Sequence, residues 1–527
     1  MMLLLLIVIL IAGGVLAWIL GRMSALAARI VSLIAVAADF IIILWIWINT
    51  LGSSASTDEA WILELNRVWI PQFGINFHLA MDGLSLAMTG LTAFIGIMAV
   101  LCSWTEIRER TGFFHFNVLW NLAGIMGVFL AVDLFLFYFF WELMLVPMYL
   151  LIGIWGHENR NYAAFKFFIF TQAGGLLMFI AILGLWFING RNTGVYTFDY
   201  MNLLQTALRP GEARLLMAGF LIAFMVKLPI VPFHNWLPDA HTQAPTAGSV
   251  ILAGLLLKTG AYGLLRFVLP LFPSASFEFR YIGMALGVVG ILYGAKLAFA
   301  QSDLKRLVAY TSVSHMGFVM LGAFSMNMLA LQGVVMQIVC HAVSTGALFI
   351  IAGALQERLH SRDMGQMGGY WRDAPRLGGV MLFFALASVG LPGLGNFIAE
   401  IMVLAGSYRV NILITAFASI GFIVSVPYAL GIIQLIFHGG IKKTPALADL
   451  SLRETAILGA MMIVILWLGL YPQPVIDTVQ ASLGRIRGPV VSDTRLQQRT
   501  AVPHSEPDTA FRGKIQTSQK RNMRGFK

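Results

Sequence analysis

The chain has 527 residues, of which 58% are hydrophobic and only 11% are charged, whereas a soluble domain carries roughly 25% charged residues. Charge this sparse indicates that lipid surrounds most of the surface, where only helices or a closed barrel satisfy every backbone polar group. Long unbroken apolar runs favour helices, and the net charge of +10 lies in loops and a tail, which argues against a nucleic-acid-binding protein.

Fourteen apolar runs are long enough to span a membrane, which takes about 20 residues. The first run lacks a basic start and a small-residue cleavage site, so we expect a spanning helix rather than a signal peptide. The break between the fourth and fifth runs depends on Asp133 alone. The predicted spans lie at residues 2–20, 30–50, 79–103, 116–132, 134–154, 164–188, 213–234, 246–269, 281–300, 307–325, 329–355, 378–405, 411–436 and 454–473.

Lys and Arg are distributed unevenly between the two sets of loops that join these spans. The richer set contains Arg22, Arg29, Arg108, Arg110, Arg160, Lys166, Lys305, Arg306, Arg358, Arg362, Arg372, Arg376, Lys442, Lys443 and Arg453. The poorer set contains Arg67, Arg191, Arg209, Arg214 and Arg280. Because basic loops stay inside, the richer set is predicted to face the cytoplasm, and an even helix count places both termini outside.

Two predicted spans are interrupted by proline. The seventh reads Lys227-Leu228-Pro229-Ile230-Val231-Pro232, and the twelfth reads Gly390-Leu391-Pro392-Gly393. Such breaks survive at membrane depth only where protein or internal water satisfies the freed backbone groups. Since the breaks lie five helices apart, spans 4–8 and 9–13 are predicted to be inverted repeats, and paired interrupted helices point to a transport pathway.

The predicted fold class is therefore an all-α polytopic membrane protein with about fourteen transmembrane helices. We divide it into residues 1–115 (helices 1–3), 116–270 (first repeat), 271–440 (second repeat), 441–475 (helix 14) and 476–527 (a basic tail). The tail holds ten Lys or Arg against four Asp or Glu. It shows no apolar periodicity, so we expect it to be largely disordered or bound to a partner.

Six ionisable side chains fall near the middle of predicted spans, where each charge costs roughly 2.5–3.5 kcal/mol to insert. They are Glu142, Lys227, Lys258, His315, His341 and Glu400. A chain retains such groups when they are paired, hydrated or functional.

Each of the six positions also has a purely structural alternative. Glu142 and Lys227 could form a static ion pair, Lys258 could snorkel, the two histidines could be satisfied core residues, and Glu400 could lie near the outer surface. Four basic residues near helix ends are expected to snorkel or anchor lipid, namely Lys166, Arg266, Lys296 and Arg409. Asp39, in the middle of the second span, has no obvious partner or role.

The hypothesis we favour is that this row of charges moves protons. Lys227 holds a proton while Glu142 is near and ionised, since at about 4 Å and an effective dielectric near 20 their attraction is roughly 4 kcal/mol. Driving one charge against about 180 mV costs roughly the same. When Glu142 moves away, Lys227 releases its proton through water to the remaining side chains, with Glu400 as the exit.

Other chemistry is weakly supported. His234, Asp239 and His241 lie close in sequence and could suggest a metal, but we interpret them as the polar lining of a cytoplasmic entrance. Cys102 and Cys340 form no CxxC motif, so neither a disulfide framework nor a metal cluster is expected. No nucleotide loop or nucleophile–base set is present, and no helix carries histidines spaced for haem.

Several motifs resemble the antiporter-like subunits of bacterial respiratory complex I, the NADH:quinone oxidoreductase. The likeness extends from about residue 70 to 475. The motifs are Asp82-Gly83-Leu84-Ser85, Trp141-Glu142-Leu143-Met144-Leu145-Val146-Pro147, Lys227-Leu228-Pro229, the stretch from His234 to Thr246, and Ala309-Tyr310-Thr311-Ser312-Val313-Ser314-His315-Met316-Gly317.

The resemblance implies fourteen helices, the inverted repeat and specific roles for matching positions. Glu142 and Lys227 resemble the family's glutamate–lysine pair, and Lys258 resembles its connecting lysine. Glu400 resembles a glutamate of the M type of subunit, where the sister types L and N carry lysine.

The resemblance also implies where the chain works and with what. It implies a multi-pass position in the bacterial inner membrane, between sister subunits L and N. Composition and charge add the expectation that lipid is a further partner and that nucleic acid is not. The resemblance implies a non-redox subunit of the enzyme with no cofactor of its own, because flavin, iron–sulfur clusters and quinone belong to other subunits. Two alternatives stay open: a subunit of a multi-component sodium/proton antiporter, and a membrane anchor for a hydrogenase-type enzyme.

Overall fold

The computed structural model describes residues 1–52, 60–438 and 447–501, and the side chains of all of these except 51, 52 and 489–501. Lys442, Lys443 and the last part of the basic tail lie outside this range. Within it, twelve helices are long and apolar enough to cross a membrane, and two further crossings consist of paired half-helices. The prediction of about fourteen transmembrane helices is confirmed.

We number the crossings in chain order. Helices 1 to 6 are Met2–Leu20, Ala25–Gly52, Gly83–Cys102, Thr111–Leu130, Leu134–Trp155 and Arg160–Thr193. Helix 7 is Pro210–Lys227 with Trp236–Gln243, and helices 8 to 11 are Thr246–Leu271, Pro273–Phe299, Leu304–Ser325 and Met328–Leu359. Helix 12 is Pro375–Val389 with Gly395–Tyr408, and helices 13 and 14 are Ile412–Ile436 and Leu452–Leu470.

Helices 8, 10 and 11 form the interior of the molecule. Nearly all of their residues are buried, whereas helices 1, 2, 6, 9, 13 and 14 each leave a large apolar face exposed. An interior helix that is apolar all round and carries a few polar groups presents those groups to protein rather than to lipid. The three interior helices therefore determine where buried charges can meet.

The two predicted breaks are present. The first half of helix 7 ends at Lys227, two residues before Pro229, and the first half of helix 12 ends where Gly390 adopts a left-handed φ of 79°. Glycine tolerates this conformation without a steric penalty. Both breaks fall in the fourth crossing of a five-helix segment, as an inverted repeat requires, and the symmetry that relates the two segments stays a prediction.

A β-hairpin precedes helix 3 and was not predicted. Strands β1 (Leu63–Ile70) and β2 (Ile75–Met81) pair antiparallel. The predicted start of helix 3 at residue 79 is therefore wrong, because residues 79–81 belong to β2. The helix begins at Gly83, where the Asp82 carboxylate accepts from the Ser85 N–H at 3.0 Å.

We call the face that carries this hairpin the hairpin side, and the opposite face, with the Lys- and Arg-rich loops, the basic side.

Asp133 separates helices 4 and 5, as the sequence indicated. Its carboxylate accepts hydrogen bonds from the Phe135 and Leu136 N–H groups at the start of helix 5. The same carboxylate accepts from Asn76 in β2. One acidic side chain thus caps a helix and fixes the hairpin to it.

The beginning of the predicted disordered tail is a helix, Gln473–Ala501. Val475, Val479, Leu483 and Ile486 are buried against helices 3 and 11. Their spacing of four, four and three residues is helical, so the prediction of no apolar periodicity is wrong for this part. The many polar residues between them concealed the pattern, and residues 502–527 lie outside the described range.

Candidate functional site

Lys227 lies at the last position of the first half of helix 7, with only 1% of the residue exposed. Its Nζ lies 5.1 Å from the ring centroid of Trp141 on helix 5 and 5.6 Å from that of Phe167 on helix 6. No protein atom accepts a hydrogen bond from it. Burying an ammonium group that only aromatic faces contact costs free energy. The charged form of Lys227 is therefore weakly stabilised, as a group that exchanges its proton requires.

Glu142 lies one residue beyond Trp141 and is half-buried beside Tyr138 and Gln172. Its Oε1 lies against Gly175 of helix 6, where an added Cβ would come within 2.7 Å of this oxygen. No Glu142 oxygen lies within 4.0 Å of Lys227 Nζ among the described contacts. The expected separation of about 4 Å is therefore wrong, although the two charges are near enough to interact.

Lys258 on helix 8 and His341 on helix 11 form a direct hydrogen bond. Lys258 Nζ lies 2.6 Å from His341 Nδ1 and donates to Ala253 O at 2.5 Å. The backbone makes this carbonyl available, because residues 252–256 form a π turn in which the Leu257 N–H bonds to Leu252 O. Lys258 is completely buried and points into the protein, so the snorkelling alternative is wrong.

His315 on helix 10 and Glu400 on helix 12 form a second buried pair. His315 Nδ1 lies 3.0 Å from Glu400 Oε1, and Gln337 Nε2 lies 3.3 Å from the same oxygen. Glu400 is 3% exposed, so the alternative that it lies at the outer surface is wrong. Its other oxygen is adjacent to Gly390, at the break of helix 12.

The two pairs join through their histidines. The ring centroids of His315 and His341 lie 5.5 Å apart. On the other flank, an added Cβ at Gly260 of helix 8 would lie 3.1 Å from the Lys227 Cβ, so helices 7 and 8 pack closely beside the lysine. Four of the six predicted residues, Lys258, His341, His315 and Glu400, thus form a row through helices 8, 11, 10 and 12. Glu142 and Lys227 lie beside this row on helices 5 and 7, and we call all six residues the central chain.

The row has a chemical consequence. In each of the two hydrogen-bonded pairs the two heavy atoms are 2.6–3.0 Å apart and share one proton between them. The Nε2 atoms of both histidines have no protein partner within the described residues. Neutral imidazole accepts a proton on one nitrogen and releases it from the other, so the chain contains groups suited to relaying protons laterally.

Several charged groups near the ends of spans were assigned incorrectly from the sequence. Arg266 does not snorkel: it is 3% exposed and lies 2.5 Å from Asp82. Lys166 is ion-paired with Asp239 at 2.6 Å, and Arg306 lies 3.3 Å from the same carboxylate. Their partners are far away in sequence, so no local signal could have identified them.

His241 and His234, which were expected to line a wet entrance, are both buried. His241 stacks on Phe349 with ring centroids 4.3 Å apart, and neither of its nitrogens has a hydrogen-bond partner. The described residues contain no group of three or more His, Cys, Asp or Glu side chains that could hold a metal. Asp39 is also completely buried, and nothing in the structure explains it.

A polar cluster on the hairpin side was missed entirely. His78 of β2 bonds to Asp199 at 2.7 Å through Nδ1 and to Glu64 at 2.8 Å through Nε2. Burial opposes the charged imidazole, but the two carboxylates outweigh it and raise the pKa of His78 above its ordinary value. This cluster fixes the hairpin to the loop after helix 6.

Fourteen crossings, two of them broken, around a central row of buried charges define an antiporter-like membrane protein. A family model described as the NADH:quinone oxidoreductase/Mrp antiporter transmembrane family matches residues 131–425. The chain belongs to this family, which confirms the resemblance seen in its motifs.

Individual relatives cover nearly the whole chain. It is 53% identical to NADH-quinone oxidoreductase subunit M of Pseudomonas aeruginosa, over 89% of this chain and 94% of the relative. It is 51% identical to the subunit M of Escherichia coli strain K12, over 90% and 95%. Among solved structures, respiratory complex I from Thermus thermophilus with bound NADH matches with a TM-score of 0.81 and 28% identity, over 91% of this chain and 99% of that one.

A likeness to the Mrp complex from Dietzia sp. DQ12-45-1b shows the same fold. The TM-score is 0.80 and the identity 20%, over 93% of this chain and 98% of that one.

Proposed function

We propose that this chain is a proton-translocating membrane subunit of NADH:quinone oxidoreductase. The observation that supports this most is the continuous row of Lys258, His341, His315 and Glu400, buried in the three interior helices and helix 12. The names of the relatives that are 51–53% identical over about nine-tenths of the chain supply the enzyme to which such a row would belong.

In the proposed mechanism, Lys227 gives its proton to Lys258 across the close contact between helices 7 and 8. The Lys258–His341 pair passes it to His315, and Glu400 receives it beside the break of helix 12. Each transfer is between a donor and an acceptor that exchange one proton, so no net charge is created within the chain.

The Glu142–Lys227 pair acts as the gate in this scheme. At about 4 Å its attraction would be roughly 4 kcal/mol, and Coulomb energy falls as the distance grows. The arrangement observed, with no direct contact and with Lys227 lacking an acceptor, is the one in which Lys227 releases its proton most easily. Approach of Glu142 would return Lys227 to its proton-holding condition.

The remaining features of the proposal concern the setting. We place the basic side in the cytoplasm and the chain in the bacterial inner membrane, because most of its Lys and Arg lie in loops on that side. Sister subunits L and N are the proposed neighbours. Flavin, iron–sulfur clusters and quinone would reside in partner subunits, and this chain would contribute proton transfer alone.

A subunit of a sodium/proton antiporter is less supported. The structure of the Mrp complex shares the fold at 20% identity, which indicates common architecture and not common chemistry. Uptake of protons coupled to sodium in vesicles without NADH would favour this alternative.

The test of the proposal is Lys227→Ala in the assembled complex, reconstituted into proteoliposomes. We expect NADH oxidation with an uncoupler to persist and proton pumping to fall. Lys296→Ala, at an exposed lysine near the end of helix 9, is the matched control and should pump normally. Normal pumping by Lys227→Ala would remove Lys227 from the pathway.

A further inference from the structure

A polar cavity opens on the basic side, between the loops that follow helices 3, 5 and 11. Its volume is about 480 Å³, and Glu106, His157, Glu158, Gln356, Glu357 and His360 are among the residues that line it. A cavity of this size admits many water molecules, since each occupies about 30 Å³ of liquid volume. It brings water and proton-binding side chains to a point beneath the loop surface.

Glu106 lines this cavity and contacts the start of helix 8. Its carboxylate accepts from the Thr246 N–H at 3.0 Å and from the Thr246 hydroxyl at 3.0 Å. Burial raises the pKa of Glu106, and Lys305 and the two Thr246 bonds oppose that rise only in part. The side chain therefore combines access to water with an increased affinity for a proton.

Between Glu106 and the central chain lie two more buried groups. Lys305, at the start of helix 10, is completely buried; its Nζ donates to Ala244 O at 3.3 Å, and its charge interacts with Glu106. His241, also completely buried, interacts electrostatically with Lys305 on one side and with Lys258 on the other. Neither nitrogen of His241 has a protein partner.

These groups lead from the cavity towards Lys258, in the middle of the central chain. A Glu whose only role was to cap helix 8 would need neither an aqueous cavity nor a path of buried ionisable groups behind it. The His241 ring stacks on Phe349, but both of its nitrogens lack a protein partner although they lie buried between two ammonium groups. Burying such polar atoms unpaired costs free energy, so packing alone does not account for a histidine at this position. As a relay group, however, it is in the right place.

We propose that protons enter from this cavity at Glu106 and reach the Lys258–His341 pair through His241. Glu106 takes up a proton from cavity water to become a carboxylic acid and passes it to His241, which transfers it to the pair and returns to neutral imidazole. Lys305 is a positioning residue that holds Glu106 by its charge. This inference rests on the proposed function, and it adds an entrance that does not pass through Glu142 and Lys227.

Glu106→Gln tests the entrance in the reconstituted complex. The glutamine amide oxygen still accepts from the Thr246 N–H, so the helix cap is retained while the proton-binding carboxylate is lost. We expect the protons pumped per NADH to fall to the level of Lys227→Ala, with uncoupled NADH oxidation preserved. Glu109→Gln, an exposed glutamate of the same loop, is the matched control and should pump like wild type.

Two further variants distinguish proton transfer by these side chains from a purely structural contribution. Glu106→Asp keeps a carboxylate and should restore most of the pumping, whereas His241→Gln should show the same loss as Glu106→Gln. If both Glu106→Gln and His241→Gln pump like wild type while Lys227→Ala does not, the entrance is refuted and the proposed function stands. If Lys258→Ala, which removes the residue that both routes share, also pumps normally, the proposed function fails and this inference fails with it.

Discussion

Replacing His341 tests whether its imidazole carries a proton along the central chain or only holds Lys258 in position. His341 Nδ1 lies 2.6 Å from Lys258 Nζ, and its ring faces His315 with centroids 5.5 Å apart. A hydrogen bond to a charged group contributes about 1.5–3 kcal/mol. His341→Ala should therefore change the stability of a proton on Lys258 by roughly 10- to 150-fold and interrupt the path to His315.

His341→Gln is the sharper variant. Its amide oxygen can still accept from Lys258 Nζ, but an amide does not exchange protons at neutral pH. We expect the complex to assemble and to oxidise NADH with an uncoupler, while quenching of a pH-sensitive dye in proteoliposomes falls as far as with His341→Ala. His438→Gln, at an exposed histidine beyond helix 13, should behave as wild type.

The opposite outcome would show that His341 only positions its neighbour. If His341→Gln pumps normally and His341→Ala does not, the imidazole holds Lys258 in place without carrying a proton. The proposed order of transfer through helix 11 would then be wrong.

Three other predictions concern the surroundings of the chain. Gly175→Ala places a Cβ 2.7 Å from the Glu142 carboxylate, so pumping should fall without loss of assembly, and unchanged pumping would show that Glu142 moves without cost. His78→Asn should lower the melting temperature of the complex below pH 6.5, because a raised pKa contributes stability that is lost as the pH rises through it; an equal effect at pH 9 would contradict this. Asp82→Asn leaves Arg266 buried without its counter-charge and should destabilise the subunit by about 3–5 kcal/mol, seen as reduced assembly, whereas normal assembly would mean that the pair contributes nothing.

The membrane made much of the fold predictable. Each crossing needs about 20 apolar residues, so the runs in the sequence located the helices. Pro229 and Pro392 located the breaks because proline removes a backbone hydrogen bond and tends to kink or break a helix. The six central residues were visible for the same reason, since a charge within an apolar run is rare and costly.

The contacts among those residues could not be predicted from spacing alone. Lys258 meets His341 across 83 positions, and His315 meets Glu400 across 85. Which side chains meet depends on how helices rotate and pack, and no local pattern records that. The expectation that Arg266 snorkels failed because its partner, Asp82, is 184 residues away.

The β-hairpin and the role of Glu106 were missed because their signals are weak in this sequence. The strands β1 and β2 are short and lie between long apolar runs, so residues 79–81 were assigned to helix 3. Glu106 attracted no attention because it lies in a charged loop, where a glutamate is ordinary; only its contact with Thr246, 140 residues away, distinguishes it.

The number of protons pumped per NADH oxidised by the Lys258→Ala complex is the most direct test. Lys258 lies where the proposed entrance and the central chain meet, and it is completely buried. In proteoliposomes, with NADH oxidation measured in parallel with and without an uncoupler, the ratio should fall while uncoupled oxidation continues. A ratio equal to that of the wild type would contradict the claim that this row of buried charges carries protons.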